Sequence, residues 1–160
     1  MPDSAGRRGT VLVLDDEPLV CELVSDVAIA VGLSPRCAST MHDIAARACE
    51  RYDVVVADLH LGAIDVPDVL RRVAESSPVC SLVLMTGSCE TTAGTTAAWA
   101  RSCGLDVVAE LHKPVSRREL RRLLESLDDR GRAGRLKTTS ATVRRRVATA
   151  ADRCRAARRR

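Results

Sequence analysis

Four short apolar runs in this chain each break off on a polar residue, and that repeated break constrains the fold more than any other feature. Val11–Leu14 stops at Asp15-Asp16-Glu17-Pro18, Val54–Ala57 at Asp58, Ser81–Met85 at Thr86-Gly87-Ser88, and Val107–Leu111 at His112-Lys113-Pro114. Runs this short and this apolar read as strands covered on both faces. The segments between them carry helical periodicity. Pro18 suits a first helical turn; Leu19, Val20, Leu23, Val24, Val27, Ala28 and Val31 then recur at helical spacing, and Gly32 stops them. A weak strand is expected over Pro35–Ala38, and helices over Met41–Arg51, Val66–Ala74 and Glu90–Ser102. Ser116-x-x-Glu119 forms a capping-box pattern ahead of a stripe of Leu120, Leu123, Leu124 and Leu127. Strand and helix therefore alternate five times. The expected fold is α/β: a doubly wound, five-stranded parallel sheet with helices on both faces and right-handed crossovers.

In open sheets of this kind ligands bind at the carboxyl ends of the strands. Asp15, Asp16, Asp58, Thr86 and Lys113 all sit just past strand ends, so they should meet along one edge. Three neighbouring carboxylates repel one another unless a cation compensates them. Magnesium, with its preference for oxygen ligands, is the cheap compensation. A carboxylate can also act as a nucleophile and accept a phosphoryl group. Such a transfer needs mainly positioning and charge neutralisation, within reach of a metal, a Lys and a hydroxyl.

The segments VLVLDDEPLV, VVVADLHLGAID, LVLMTGS and LHKPVSRREL together resemble the receiver domain of bacterial two-component response regulators, over roughly residues 9–129. The resemblance implies a flavodoxin-like sheet of strand order 2-1-3-4-5. It implies that Asp58 accepts a phosphoryl group from a sensor histidine kinase or a phosphotransfer protein. Asp15 and Asp16 match the acidic pair that holds Mg²⁺ with Asp58, and His60 matches the position whose backbone carbonyl completes the metal site. Thr86 matches the hydroxyl that follows the phosphoryl group, and Lys113 the family's lysine, with a cis bond expected before Pro114. The function implied is a phosphorylation-dependent switch acting on a downstream protein. The chain would not be an enzyme beyond its own phosphorylation and dephosphorylation.

Three departures from the family pattern stand out. Gly62 replaces the usual Pro after the phosphoacceptor strand, and Val66 the usual Gly. Glu110 stands three residues before Lys113, where an aromatic switch is expected. GLDVVAELHKP is about two residues longer than the commoner form, and is similar to receivers attached to cyclic-di-GMP phosphodiesterases of the Glu-Ala-Leu type. Two other functions compete with the switch. One is a non-phosphorylated, receiver-like interaction or dimerisation module, favoured by Glu110 and the altered loop. The other is a haloacid-dehalogenase-like phosphatase, which expects Asp-x-Asp where this chain has Asp15-Asp16-Glu17. His42 and His112 read as bystanders, and Trp99 as packing on the fourth helix.

Composition divides the chain in two. The net charge of +4 conceals a tail, residues 130–160, with twelve Lys/Arg against Asp152 alone, or +11; the preceding 129 residues are −7. The tail is expected to be disordered or partly helical, and residues 1–8 disordered. Too short for a DNA-binding output domain, the tail could offer a salt-sensitive electrostatic contact to nucleic acid or membrane. Homodimer formation is a further expectation. The seven cysteines show no Cys-x-x-Cys spacing and lie mostly in apolar stretches, so they read as reduced, small core residues in a cytoplasmic protein. No apolar stretch reaches membrane-span length, and the first ten residues lack the apolar core of a secretory signal.

Overall fold

A computed structural model describes residues 9–87 and 93–135. Five strands alternate with five helices: β1 (Thr10–Leu14), α1 (Pro18–Ala30), β2 (Ser34–Ala38), α2 (Met41–Arg47), β3 (Val54–Asp58), α3 (Val66–Ser76), β4 (Ser81–Thr86), α4 (Ala93–Ser102), β5 (Asp106–His112) and α5 (Arg117–Arg135). The strands form one parallel sheet in the order β2-β1-β3-β4-β5, the topology expected from the sequence.

Strand side chains alternate between two cores, which is why the runs had to be apolar throughout. Leu12, Leu14, Val55, Ala57, Leu82 and Leu84 join one cluster with Ile44 of α2, Leu70 of α3 and Ala97 of α4. Val11, Val13, Val54, Val56, Val83 and Met85 join the other with Val24 and Val27 of α1 and Leu120 and Leu124 of α5. With no Phe in the chain, these layers are built of branched aliphatics, each worth roughly 1.5–3 kcal/mol when fully buried. Trp99 packs against the first cluster, as its place on the fourth helix suggested.

The structure departs from the sequence reading in several places. α2 stops at Arg47 rather than Arg51: Ala48 caps it with its N–H on the Ile44 carbonyl, and the chain must turn to bring buried Tyr52 under the sheet. α5 runs through Gly131 and on to Arg135, past the boundary placed at residue 129. Two glycines near its end do not stop a helix whose apolar face is already packed on α1. The expectations for residues 1–8, the start of the fourth helix at residue 90 and residues 136–160 lie outside the described residues.

The cysteine reading needs correction. Cys21 of α1 and Cys37 of β2 form a disulfide, their Cα atoms 6.0 Å apart. Cys49 is exposed, while Cys80 and Cys103 are buried thiols as expected. The pairing left no trace in the spacing because it comes from the crossover that lays α1 over the edge strand. Among the described residues, no helix is long and apolar enough to cross a membrane.

One irregularity in the sheet controls the site. The β4–β5 ladder pairs Leu82 with Val107 but Val83 with Ala109, so Val108 is a bulge. Val108 and Ala109 both pack toward the α1/α5 core, whereas Val107 packs toward the other. Beyond the bulge Leu84 pairs with Glu110 and Thr86 with His112. The bulge absorbs one residue of the long β5 segment. It also leaves Glu110 and His112 on the α4 side of the sheet.

Candidate functional site

The ends of β1, β3 and β5 bring four charged side chains together. Asp15 follows β1 and is fully buried; its Oδ1 accepts the backbone N–H of Glu17 at 2.9 Å. Asp16, next in the chain, is exposed. Asp58 closes β3 and is 3% exposed. Its Oδ1 accepts the backbone N–H of His60 at 2.9 Å, and its Oδ2 accepts Lys113 Nζ at 2.7 Å. Lys113 leaves the end of β5 with its own N–H donating to the Thr86 carbonyl at 2.8 Å, and the Lys113–Pro114 bond is cis. Its ammonium also donates to Glu17 Oε1 at 2.9 Å and lies 2.9 Å from Asp15 Oδ2.

Carboxylate oxygens of Asp15, Asp16 and Asp58 lie within 4.8 Å of one another, a spacing that suits one hard cation. Asp15 Oδ2 fits that use best. It is buried beside Lys113, yet among the described residues no donor reaches it along a hydrogen-bond direction. Burial pushes the Asp15 carboxyl above the usual carboxylate range, against the opposing pull of the Glu17 N–H and Lys113. Lys113 is raised as well, but for another reason: burial would lower its pKa, and the carboxylates of Asp58, Asp15 and Glu17 around it outweigh that. One ammonium thus faces three carboxylates, with Asp16 as a fourth beside Asp15 and Asp58. The imbalance is what a divalent cation would relieve.

The loop after β3 has its own solution to the missing proline. Gly62 takes φ +59°, a left-handed turn that Pro cannot make, and sits beside Asp16. A proline appears instead at position 67, in the first turn of α3, where its absent N–H costs nothing.

At the end of β4, Thr86 is 1% exposed. Its Oγ1 shares a 2.9 Å hydrogen bond with Nδ1 of His112. Sequence reasoning gave His112 no role. The only available signal was its place in the strand, two residues from Glu110 and therefore on the same face. Glu110 itself pairs at 3.6 Å with Arg101 of α4. Glu17, to which sequence reasoning assigned no role, is likewise drawn into the site through Lys113.

The family model for the response regulator receiver domain matches residues 11–125. No curated protein matches the chain. Solved structures do. A response regulator from Colwellia psychrerythraea is 26% identical with a TM-score of 0.66, over 78% of this chain and 99% of that one. The receiver domain of AraT from Geobacillus stearothermophilus is 20% identical with a TM-score of 0.68, over 81% and 99%. A CheY-like receiver domain protein from Methanospirillum hungatei is 20% identical with a TM-score of 0.65, over 79% and 99%.

Proposed function

The chain belongs to the response regulator receiver domain family, and from that membership we propose that Asp58 accepts a phosphoryl group from a sensor histidine kinase or phosphotransfer protein and so switches a downstream contact. The observation that carries this reading is the setting of Asp58: a buried carboxylate at a strand end, with Lys113 at 2.7 Å and two further aspartates within metal-sharing distance.

In this reading an Asp58 carboxylate oxygen attacks phosphorus of a phosphohistidine. The O–P bond forms as the P–N bond breaks, and the leaving imidazole takes up a proton. Asp15, Asp16 and Asp58, with the His60 carbonyl, would hold Mg²⁺, which when bound neutralises charge on the transferring phosphoryl oxygens. Lys113 supplies the second positive charge from the end of β5, on the same edge of the sheet. The His60 N–H fixes Asp58 Oδ1, leaving the orientation of the carboxylate defined before the donor arrives. Thr86, on the strand beside Asp58's, offers its hydroxyl to a phosphoryl oxygen. The chemistry is confined to this one aspartate, so the chain works as a switch rather than as a turnover enzyme.

The test is incubation with acetyl phosphate and Mg²⁺, followed by intact mass. The parent should gain one phosphoryl group that hydroxylamine or mild alkali removes, and Asp58→Ala none. Equal uptake by Asp58→Ala would sink the assignment.

A further inference from the structure

We propose that His112 is a positioning residue that holds the Thr86 hydroxyl at the end of β5 and must release it when Asp58 carries a phosphoryl group. Its imidazole, rather than an aromatic ring at position 110, then reports the state of the site on the α4 side of the sheet. The inference rests on the reading of Asp58 as phosphoacceptor given above.

Three observations lead there. First, Thr86 Oγ1 and His112 Nδ1 are 2.9 Å apart, and Thr86 is buried. A hydroxyl carries one proton. A phosphoryl oxygen can only accept, so a hydrogen bond to it must use that proton. With the ring protonated on Nε2, Nδ1 accepts the same proton, and the two acceptors compete for it.

Second, the partnership is a product of register. Thr86 and His112 are paired residues of neighbouring strands, and the Val108 bulge is what brings His112 opposite Thr86. His112 ends the strand and is exposed, so its ring has solvent to turn into when it lets go. A packed ring would have no such second position.

Third, the neighbouring position is already engaged elsewhere. Glu110 is held toward α4 by Arg101 and is a charged group. It would have to leave that partner and lose water to follow Thr86 inward. His112 bonds the Thr86 hydroxyl directly, so a movement of that hydroxyl reaches it without an intermediary.

The experiment is a titration with beryllofluoride and Mg²⁺ as the phosphoryl stand-in, followed by Trp99 fluorescence and by the ring-nitrogen NMR shifts of His112. Removing the competing acceptor in His112→Ala should tighten beryllofluoride binding by about fivefold, the worth of one ordinary hydrogen bond. His112→Asn, which can still accept from Thr86, should return toward the parent affinity. In a Thr86→Val background the His112 substitution should change nothing, because its effect runs through that hydroxyl. The parent's His112 ring-nitrogen shifts should move on beryllofluoride binding. In Thr86→Val they should start near that end point and stay there. Unchanged or weaker binding by His112→Ala overturns the proposal, provided that the parent binds and Asp58→Asn does not. If the parent fails to bind, or Asp58→Asn binds equally well, the reading of Asp58 fails and the role of His112 fails with it.

Discussion

Lys113 touches Asp58, Asp15 and Glu17 at once, so its removal uncovers several carboxylates rather than breaking one pair. Its side chain is 17% exposed, which moderates the cost below that of a fully buried charge. Lys113→Ala should therefore lower stability by about 2 kcal/mol at neutral pH, read from urea unfolding. Millimolar Mg²⁺ should restore much of that loss in the variant, since a ligand at 100 times its Kd stabilises by about 2.7 kcal/mol.

Asp15 works in the opposite sense. Its folded-state pKa lies above its ordinary value, so the folded chain holds that proton more tightly than the unfolded one. Stability attributable to Asp15 is then greatest below the ordinary carboxylate range and falls as pH rises through the raised value. Asp15→Asn should stabilise the metal-free protein at pH 7 and flatten that part of the pH profile. The same variant should lose the Mg²⁺-induced rise in melting temperature. A variant that melted lower than the parent without metal would contradict the burial argument.

Among the elements, α2 and β5 are the informative ones. α2 is only two turns long and depends on its start: Thr40 Oγ1 accepts the Asp43 N–H at 3.2 Å and donates to Asp43 Oδ2 at 2.8 Å. Thr40→Ala should cost about 1 kcal/mol in urea unfolding. In β5 the Val108 bulge leaves alternation intact on either side, with Val107 facing one core and Ala109 the other. Deleting Val108 should thus give a regular strand with Glu110, His112 and Lys113 still in place. The shortened chain should keep its Mg²⁺ response and lose about 1–2 kcal/mol of packing. Deleting Leu111 instead would turn the strand end over and abolish the response. Arg101→Ala, which breaks a partly exposed contact to Glu110, should cost under about 1 kcal/mol.

For the whole molecule, the last large core residue among the described residues is Leu127 on α5, ahead of the basic tail. A chain ending at Arg135 should unfold within about 0.5 kcal/mol of the full chain and bind Mg²⁺ equally, since distant surface changes seldom exceed that. Its net charge becomes −4 in place of +4, so it should no longer be retained on a cation exchanger at pH 7. Any salt-sensitive binding to polyanions should go with the tail.

The sequence by itself determined the order of strands and helices and which residues stand at the strand ends. Both are local properties. An apolar run that stops at a charge is legible in Val54–Asp58 without knowing what lies beside it, and the edge rule then gathers Asp15, Asp58, Thr86 and Lys113. Only the tertiary structure decided who touches whom. The Cys21–Cys37 bond depends on α1 packing over β2, the left-handed turn at Gly62 on where α3 must start, and the Thr86–His112 bond on a bulge in the β4–β5 register. Strand pairing and helix crossover join residues far apart in the chain, and no spacing within one segment records them.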